Sequence, residues 1–350
     1  MHLQRKMVKK VPLVAKLEVT HRCNLQCRHC YIPPSSGKGE ISFEKWRFII
    51  DELYKAGSIW LCLTGGEPLV REDFFDIYRY AYKKGFILIL LTNATLMDKK
   101  TAKFLREYPP FYIAVTLNGA TKDTYESISG VEGSFENVMN GLKIMREYKL
   151  SLRLRTTFLT LNIHEEETIR DFYRDNGFQQ SFHTIVEPRL DGSTDSCKYR
   201  LPPGKVVEIL RPESAADYRR PSARDIDENS CGADQPGRTT NSGRFFRCGA
   251  GIWQVNINPF GELIFCTFLR KPAWSLFKYS LREIFYERLE EIRARTFSPA
   301  SICRNCEFLE SCERCPARAF LECGDSNAPI DYYCKLSSLS AEKDRKVRQP

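Results

Sequence analysis

Cys23, Cys27 and Cys30 stand in a C-x3-C-x2-C run directly behind an apolar stretch at 13–19, and this run constrains the fold more than any other feature. It is part of a wider anomaly, 14 cysteines in 350 residues. In a secreted chain they would form disulfides. The basic segment 1–10, however, is not followed by the apolar run of a signal peptide. No stretch reaches the roughly 18 uninterrupted apolar residues of a membrane span. The chain therefore reads as a soluble cytoplasmic protein, with its cysteines free to hold metal. Three thiolates in one loop can hold three irons of a cubane cluster and leave the fourth open to a substrate or cofactor. A zinc ion would want a fourth protein ligand, which His21 or His29 could supply.

The chain on either side of that loop fixes the fold class. Short apolar runs at 13–19, 59–63, 86–91, 112–117, 152–158 and 182–186 predict six strands. Several are almost continuously apolar, as in parallel strands covered on both faces. Between them Trp46, Ile49, Ile50 and Leu53 repeat at i, i+3, i+4 and i+7, as do Phe135, Val138, Met139 and Leu142. Six β–α units in series predict an α/β protein with a parallel sheet, either open or curled into a partial barrel. With 42% hydrophobic residues, the chain can build one large domain and a smaller one.

From 191 to 247 Gly, Pro, Ser, Asp and Arg dominate, with a short helix at 205–210; this reads as a linker or an irregular substrate-facing segment. From 248 to 340 the chain is rich in cysteine, with a helix at 281–295. Residues 341–350 are polar and are expected to be a disordered tail.

Thr20-His-Arg-Cys-Asn-Leu-Gln-Cys-Arg-His-Cys-Tyr31 resembles the signature of the radical S-adenosylmethionine superfamily. His29 departs from it, standing where the family usually has an aromatic residue. Thr64-Gly-Gly-Glu-Pro68, after the second strand, resembles the family segment whose backbone binds the methionine amino group of the cofactor. Gly65 and Gly66 would let that backbone approach a ligand, with Glu67 beside them. Thr92 and Asn93 follow the third strand and Asn118 the fourth, where relatives contact the cofactor and many carry Asp in place of Asn118. Each pair is also a common turn former. All of these segments lie at C-terminal strand ends, the functional face of parallel barrels. On the fifth strand Leu152, Leu154 and Phe158 share one face, so Arg153 and Arg155 should point inward. The resemblance assigns Arg155 to the cofactor carboxylate; a strand end fraying into solvent is the bland alternative. The fold implied is a partial (β/α)6 barrel over 1–190.

The later cysteines resemble the SPASM domain, which carries auxiliary iron–sulfur clusters. Cys248 is followed by Gly261 and Cys266, then by Cys303-x2-Cys306-x5-Cys312-x2-Cys315, Cys323 and Cys334. The family has three residues where two separate Cys312 from Cys315. The resemblance assigns Cys303, Cys306, Cys312 and Cys334 to an outer cluster, and Cys248, Cys266 and Cys315 to an inner one. Cys231, Cys323, substrate or an open iron would complete the inner set. Taken alone, the Cys-x2-Cys pairs would also suit a zinc ribbon, the lesser alternative. Cys62, inside an apolar strand, reads as an inert core thiol.

Three [4Fe–4S] clusters, one catalytic and two auxiliary with the inner nuclearity open, and S-adenosylmethionine are thus the implied cofactors. The formal charge of +9 is spread among 44 acidic residues and argues for no nucleic-acid partner. Ten thiolates on three cores of charge near 2+ would lower it by roughly four. The implied chemistry is reductive cleavage of S-adenosylmethionine to a 5′-deoxyadenosyl radical that abstracts hydrogen from a ribosomal peptide or protein, giving a cross-linked, oxidised or otherwise matured product. A small-molecule alcohol dehydrogenase, epimerase or tetrapyrrole-processing enzyme is the alternative, and a non-catalytic iron–sulfur or zinc scaffold a remoter one. With 22 residues before Cys23, a separate leader-binding protein is expected for a peptide substrate. A flavodoxin or ferredoxin would donate electrons.

Overall fold

The computed structural model describes residues 10–179, 181–209 and 245–348. All six expected strands form: β1 Val14–Thr20, β2 Trp60–Gly65, β3 Ile87–Thr92, β4 Tyr112–Thr116, β5 Leu152–Thr157 and β6 Phe182–His183. They pair in sequence order, each parallel to the next. Helices α1 Phe43–Lys55, α2 Phe74–Lys83, α3 Lys99–Glu107, α4 Lys122–Ser129, α5 Ser134–Glu147 and α6 Glu166–Asp175 supply the crossovers that parallel pairing demands. On α1 the buried residues are Trp46, Ile49, Ile50 and Leu53, the stripe its periodicity predicted.

Alternation along the strands sorts side chains onto two faces. Ala15, Leu17, Leu61, Leu63, Leu88, Ile113 and Leu154 join the core beneath the helices. Val14, Cys62, Ile89, Tyr112 and Ala114 form a second cluster with Trp60 and Trp253. This second cluster lines the face of the sheet opposite the helices across the adjacent strands β4, β3, β2 and β1. Cys62 is fully buried there, as a core thiol.

The cysteine-rich segment adds to the same sheet. β7 Gln254–Ile257 lies parallel to β1, and β8 Glu262–Ile264 and β9 Ala273–Ser275 continue antiparallel, giving nine strands. Its first strand is therefore built onto the barrel wall. Helix α7 Pro203–Ile209 stands where a short helix was expected. The helix expected at 281–295 is α8, which runs Leu281–Glu283, widens into a π turn at Ile284–Arg288 and resumes at Leu289–Arg293. Helix α9 is Pro316–Cys323 and α10 Asp331–Arg348. The tail expected to be disordered from 341 is instead helical through Arg348. Tyr333 and Leu336 bury one side of α10, and Lys343 Nζ donates to Val207 O at 2.6 Å, docking the polar end on α7. No described helix is long and apolar enough to cross a membrane.

Candidate functional site

The C-terminal ends of β1 to β6 converge on one rim, and the thiol loop leaves the first of them. Its entry is pinned: Thr20 Oγ1 donates to Glu40 at 2.9 Å and His21 N at 2.8 Å. Buried Arg71 donates to Val19 O and Ile41 O and pairs with Asp73 at 2.7 Å. The far side of the loop lies on the end of α4, where Gln26 N donates to Ser129 O at 2.8 Å and Arg28 Nε to Ser127 O at 2.6 Å.

The glycine segment locks onto the loop from the third side. Gly66 N donates to Thr20 O and Glu67 N to Arg22 O, both at 2.8 Å. A Cβ on Gly65 would stand 2.0 Å from Thr20 O, and one on Gly66 2.2 Å from Arg22 O. The missing side chains thus make room for the backbone of the cysteine loop, where the sequence suggested room for a ligand.

Glu67 bolts two loops together. Its carboxylate is fully buried and accepts from Leu69 N at 3.0 Å, Thr92 Oγ1 at 2.8 Å and Asn93 N at 2.7 Å. The side chains of Glu67 and Thr92 are therefore spent on holding the β2 and β3 loops in register. Burial raises the carboxyl from 4.5 to about 7, against the pull of these donors. In that window the folded chain holds a proton that the unfolded chain has lost, so stability falls as pH rises through it. Denaturant unfolding at pH 5 and 7.5 should show the parent losing on the order of 2 to 3 kcal/mol relative to Glu67→Gln. Parallel pH dependence in the two proteins would contradict this.

Asn93 reaches outward. Its Nδ2 donates to Asn24 Oδ1 at 3.0 Å and lies 3.8 Å from Cys23 Sγ. Desolvation of its sulfur within the loop pushes the Cys23 thiol up to about 11 although the residue is exposed overall. Burial raises Cys27 and Cys30, with repulsion from Cys30 and Cys23 adding to the effect on Cys27. Such thiols ionise when a metal cation compensates them. His21 Nε2 is held by Glu18 at 2.9 Å, and His29 Nε2 lies 3.3 Å from Asn118 Nδ2. Burial lowers His29 to about 4 and keeps it neutral. Among the described residues no three His, Cys, Asp or Glu side chains converge tightly enough for a single ion.

Asn118 Oδ1 accepts from Thr157 N at 2.9 Å, joining the ends of β4 and β5. The arginines of β5 point to the face opposite the helices: Arg153 lies 4.0 Å over the Tyr112 ring, and Arg155 Nη2 lies 3.2 Å from His183 Nε2. Arg155 thus stands near the rim end of β5, beside β6.

Both later cysteine groups assemble. Burial raises the Cys248 and Cys266 thiols and the neighbouring Cys315 adds to both, while burial raises Cys303 and Cys334 with Cys306 and Cys312 close enough to add to each. Cys315 caps the N-terminus of α9, the positive end of that helix. One thiol in each of the three groups receives a backbone N–H: Leu25 to Cys23 Sγ at 3.4 Å, Leu269 to Cys266 at 3.3 Å and Arg314 to Cys312 at 3.4 Å. Donors aimed at sulfur favour the thiolate, so the residues present fit iron–sulfur ligation. Cys323 lies among Glu322, Asp331, Arg314 and Asp325, apart from the inner three. Cys231 lies outside the described residues.

Sequence reasoning missed the link between the centres. Glu18 pairs with Arg270 at 3.0 Å, and Lys16 donates to Thr267 at 3.2 Å, joining β1 to the segment after Cys266. Burial opposes ionisation of Glu18, but the His21 hydrogen bond and Arg270 outweigh it and hold its pKa low. The Tyr31 and Phe268 rings meet edge to face at 5.4 Å. The alternation of Val14, Lys16 and Glu18 on the face opposite the helices was the available signal.

Residues 17–173 match the model of the Radical SAM superfamily. The subtilosin biosynthesis protein AlbA of Bacillus subtilis is 27% identical over 81% of this chain and 59% of that protein. The AdoMet-dependent heme synthase of Methanosarcina barkeri is 26% identical over 90% of this chain and 94% of that protein. Streptococcus suis SuiB bound to its precursor peptide SuiA superposes with a TM-score of 0.69 and 17% identity, over 93% of this chain and 76% of that one. The chain thus spans about three-fifths of the first of these relatives and nearly all of the second.

Proposed function

We propose, from the premise that residues 17–173 form a Radical SAM domain, that this chain is a radical S-adenosylmethionine enzyme maturing a ribosomal peptide or a protein. The observation that carries the reading is the gathering of three separate cysteine groups, the first on the rim that also holds Asn93, Asn118 and Arg155. When bound, the cluster and S-adenosylmethionine supply one-electron cleavage to methionine and a 5′-deoxyadenosyl radical that takes hydrogen from the substrate.

The chain's own residues do the positioning. Cys23, Cys27 and Cys30 hold the catalytic cluster, and the loops bolted by Glu67 present the backbone of Gly65 and Gly66 to the cofactor amino group. Arg155 takes the cofactor carboxylate, with neutral His183 holding its guanidinium. Asn93 and Asn118 line the path between them. Cys303, Cys306, Cys312 and Cys334 hold the outer auxiliary cluster. Cys248, Cys266 and Cys315 hold the inner one, with a ligand position left for substrate or a further thiol.

AlbA and SuiB favour a peptide substrate, which a separate leader-binding protein would deliver. A tetrapyrrole is the second reading, favoured by the nearly end-to-end match with the heme synthase. A reducing cytoplasm suits both. Anaerobic reconstitution should give about twelve irons per chain and reduction-dependent 5′-deoxyadenosine. Zinc in place of iron, with no cofactor cleavage, would leave a metal-stapled scaffold.

A further inference from the structure

Cofactor cleavage consumes one external electron per event, so the surface nearest the catalytic thiols matters. Cys23 is exposed, and so are Asn24, Gln26 and Arg28 around it. Asn24 Nδ2 donates to Thr95 Oγ1 at 2.7 Å, and Asn93 touches both Asn24 and Cys23. The loop 93–98 is therefore seated against the thiol loop, and it leads directly into α3, capped by Asp98.

That helix is strongly basic. Thr101, Ala102 and Leu105 bury one side, while Lys99, Lys103 and Arg106 at i, i+4 and i+7 line an exposed stripe. At 1.5 Å rise per residue the stripe runs about 10 Å away from the thiol loop. Lys100 is also exposed, and so is Leu96, at 40%, in the loop before α3. Lys99, Lys103 and Arg106 stand in no ion pair among the described residues. The opposite flank of the thiol loop is mixed: Lys122 pairs with Glu136 at 3.0 Å, and Glu126 and Glu132 lie nearby. The outer auxiliary thiols are flanked by mixed charge too, with Arg304, Glu307 and Glu310 beside Cys306 and Arg345 4.0 Å from Glu307.

We infer that α3 and the loop before it form the docking face for an acidic one-electron carrier protein, oriented so that its redox centre meets the exposed Cys23 edge. The carrier is oxidised by one electron, and that electron breaks the carbon–sulfur bond of the sulfonium. The inference rests on the radical-enzyme reading above and adds its partner's place and charge. Asp98 and Glu107 at the two ends of α3 are exposed as well, so the patch is net positive rather than of one sign. A net-positive patch facing an acidic partner steers encounter, raising association rates tenfold to a thousandfold at low salt. Screening beyond about 10 Å at 0.1 M salt should erase the advantage.

The test uses the reconstituted enzyme with reduced flavodoxin as carrier and, in parallel, dithionite. Lys99→Glu/Lys103→Glu should lower flavodoxin-driven 5′-deoxyadenosine formation at least tenfold at low salt, flatten its salt dependence and weaken flavodoxin binding in a direct titration. The dithionite-driven rate should stay unchanged. An unaltered flavodoxin rate and affinity would overturn the inference. So would a loss seen instead in Arg304→Glu/Arg345→Glu, which would place electron entry at the outer cysteines. If the reversal impairs folding, Lys99→Gln/Lys103→Gln should still weaken flavodoxin binding, and unchanged binding would again be fatal. A parent that makes no 5′-deoxyadenosine even with dithionite would remove the radical reading itself, a result distinct from either docking failure.

Discussion

Replacing Cys27 with alanine is expected to abolish formation of 5′-deoxyadenosine from S-adenosylmethionine while leaving the fold intact. Cys27 is the middle thiol of its group, buried against Cys23 and Cys30, and its backbone is part of a loop held from three sides by other contacts. The Glu40, Arg71 and α4 contacts that hold this loop do not involve the Cys27 side chain. Iron should fall by about four per chain. Activity should fall by well over the roughly ten- to hundredfold that changes outside the ligand set produce. Asn93→Ala, which removes the amide 3.8 Å from Cys23 Sγ, provides that milder comparison. Activity retained in Cys27→Ala with full iron content would mean that the thiol loop does not carry the chemistry.

The barrel was legible because each β–α unit announces itself locally. The strands carry near-continuous apolar runs, the helices carry a stripe at 3.6-residue period, and each boundary fell within a residue or two at β1 to β5. β6 is the instructive exception: its apolar run was read as 182–186, but the ladder keeps only Phe182–His183. Beyond it Glu187 turns away to pair with Arg318 at 2.7 Å, and Arg200 pairs with Glu322 at 2.7 Å, so ion pairs to α9 replace further strand pairing. β7 was missed for a different reason. Its four residues pair with β1 across some 240 positions of sequence, and no local pattern carries that information. The C-terminal helix was hidden by composition, since its charged surface reads like a tail until Tyr333, Leu336 and Lys343 find α7 and the core.

The site divides along the same line. The cysteine groups could be read through the family resemblance that their pattern carries, and the structure places thiols within each group close enough to influence one another. Roles that depend on what a side chain touches could not. Glu67 looks like a member of a ligand-binding turn, yet it accepts three hydrogen bonds from its own chain. Gly65 and Gly66 look like a cradle, yet backbone from the cysteine loop occupies the space beside them. In each case the residue also fixes the loops of the rim, a task that spacing alone does not reveal.

A second substitution separates cofactor cleavage from product formation. Cys315→Ala is expected to lose the modified substrate by roughly a hundredfold or more, as removal of a metal ligand should, while 5′-deoxyadenosine still forms. Cys315 meets Cys248 and Cys266 at the head of α9, whereas the thiol loop stands at the end of β1. Side chains join the two regions through Tyr31 with Phe268 and through Glu18 with Arg270, and none of these four needs the Cys315 sulfur. The variant should therefore lose about four irons and keep the rim at the ends of β1 to β5. Cys323→Ala is the control: its thiol lies among Glu322, Asp325 and Asp331, so iron content and product should match the parent. If Cys315→Ala kept full iron and full product, the inner group would be a packing cluster of thiols, and the substrate would meet the radical without it. If Cys323→Ala lost iron instead, the inner site would draw its missing ligand from the far end of α9, which would require α9 to shift when metal binds.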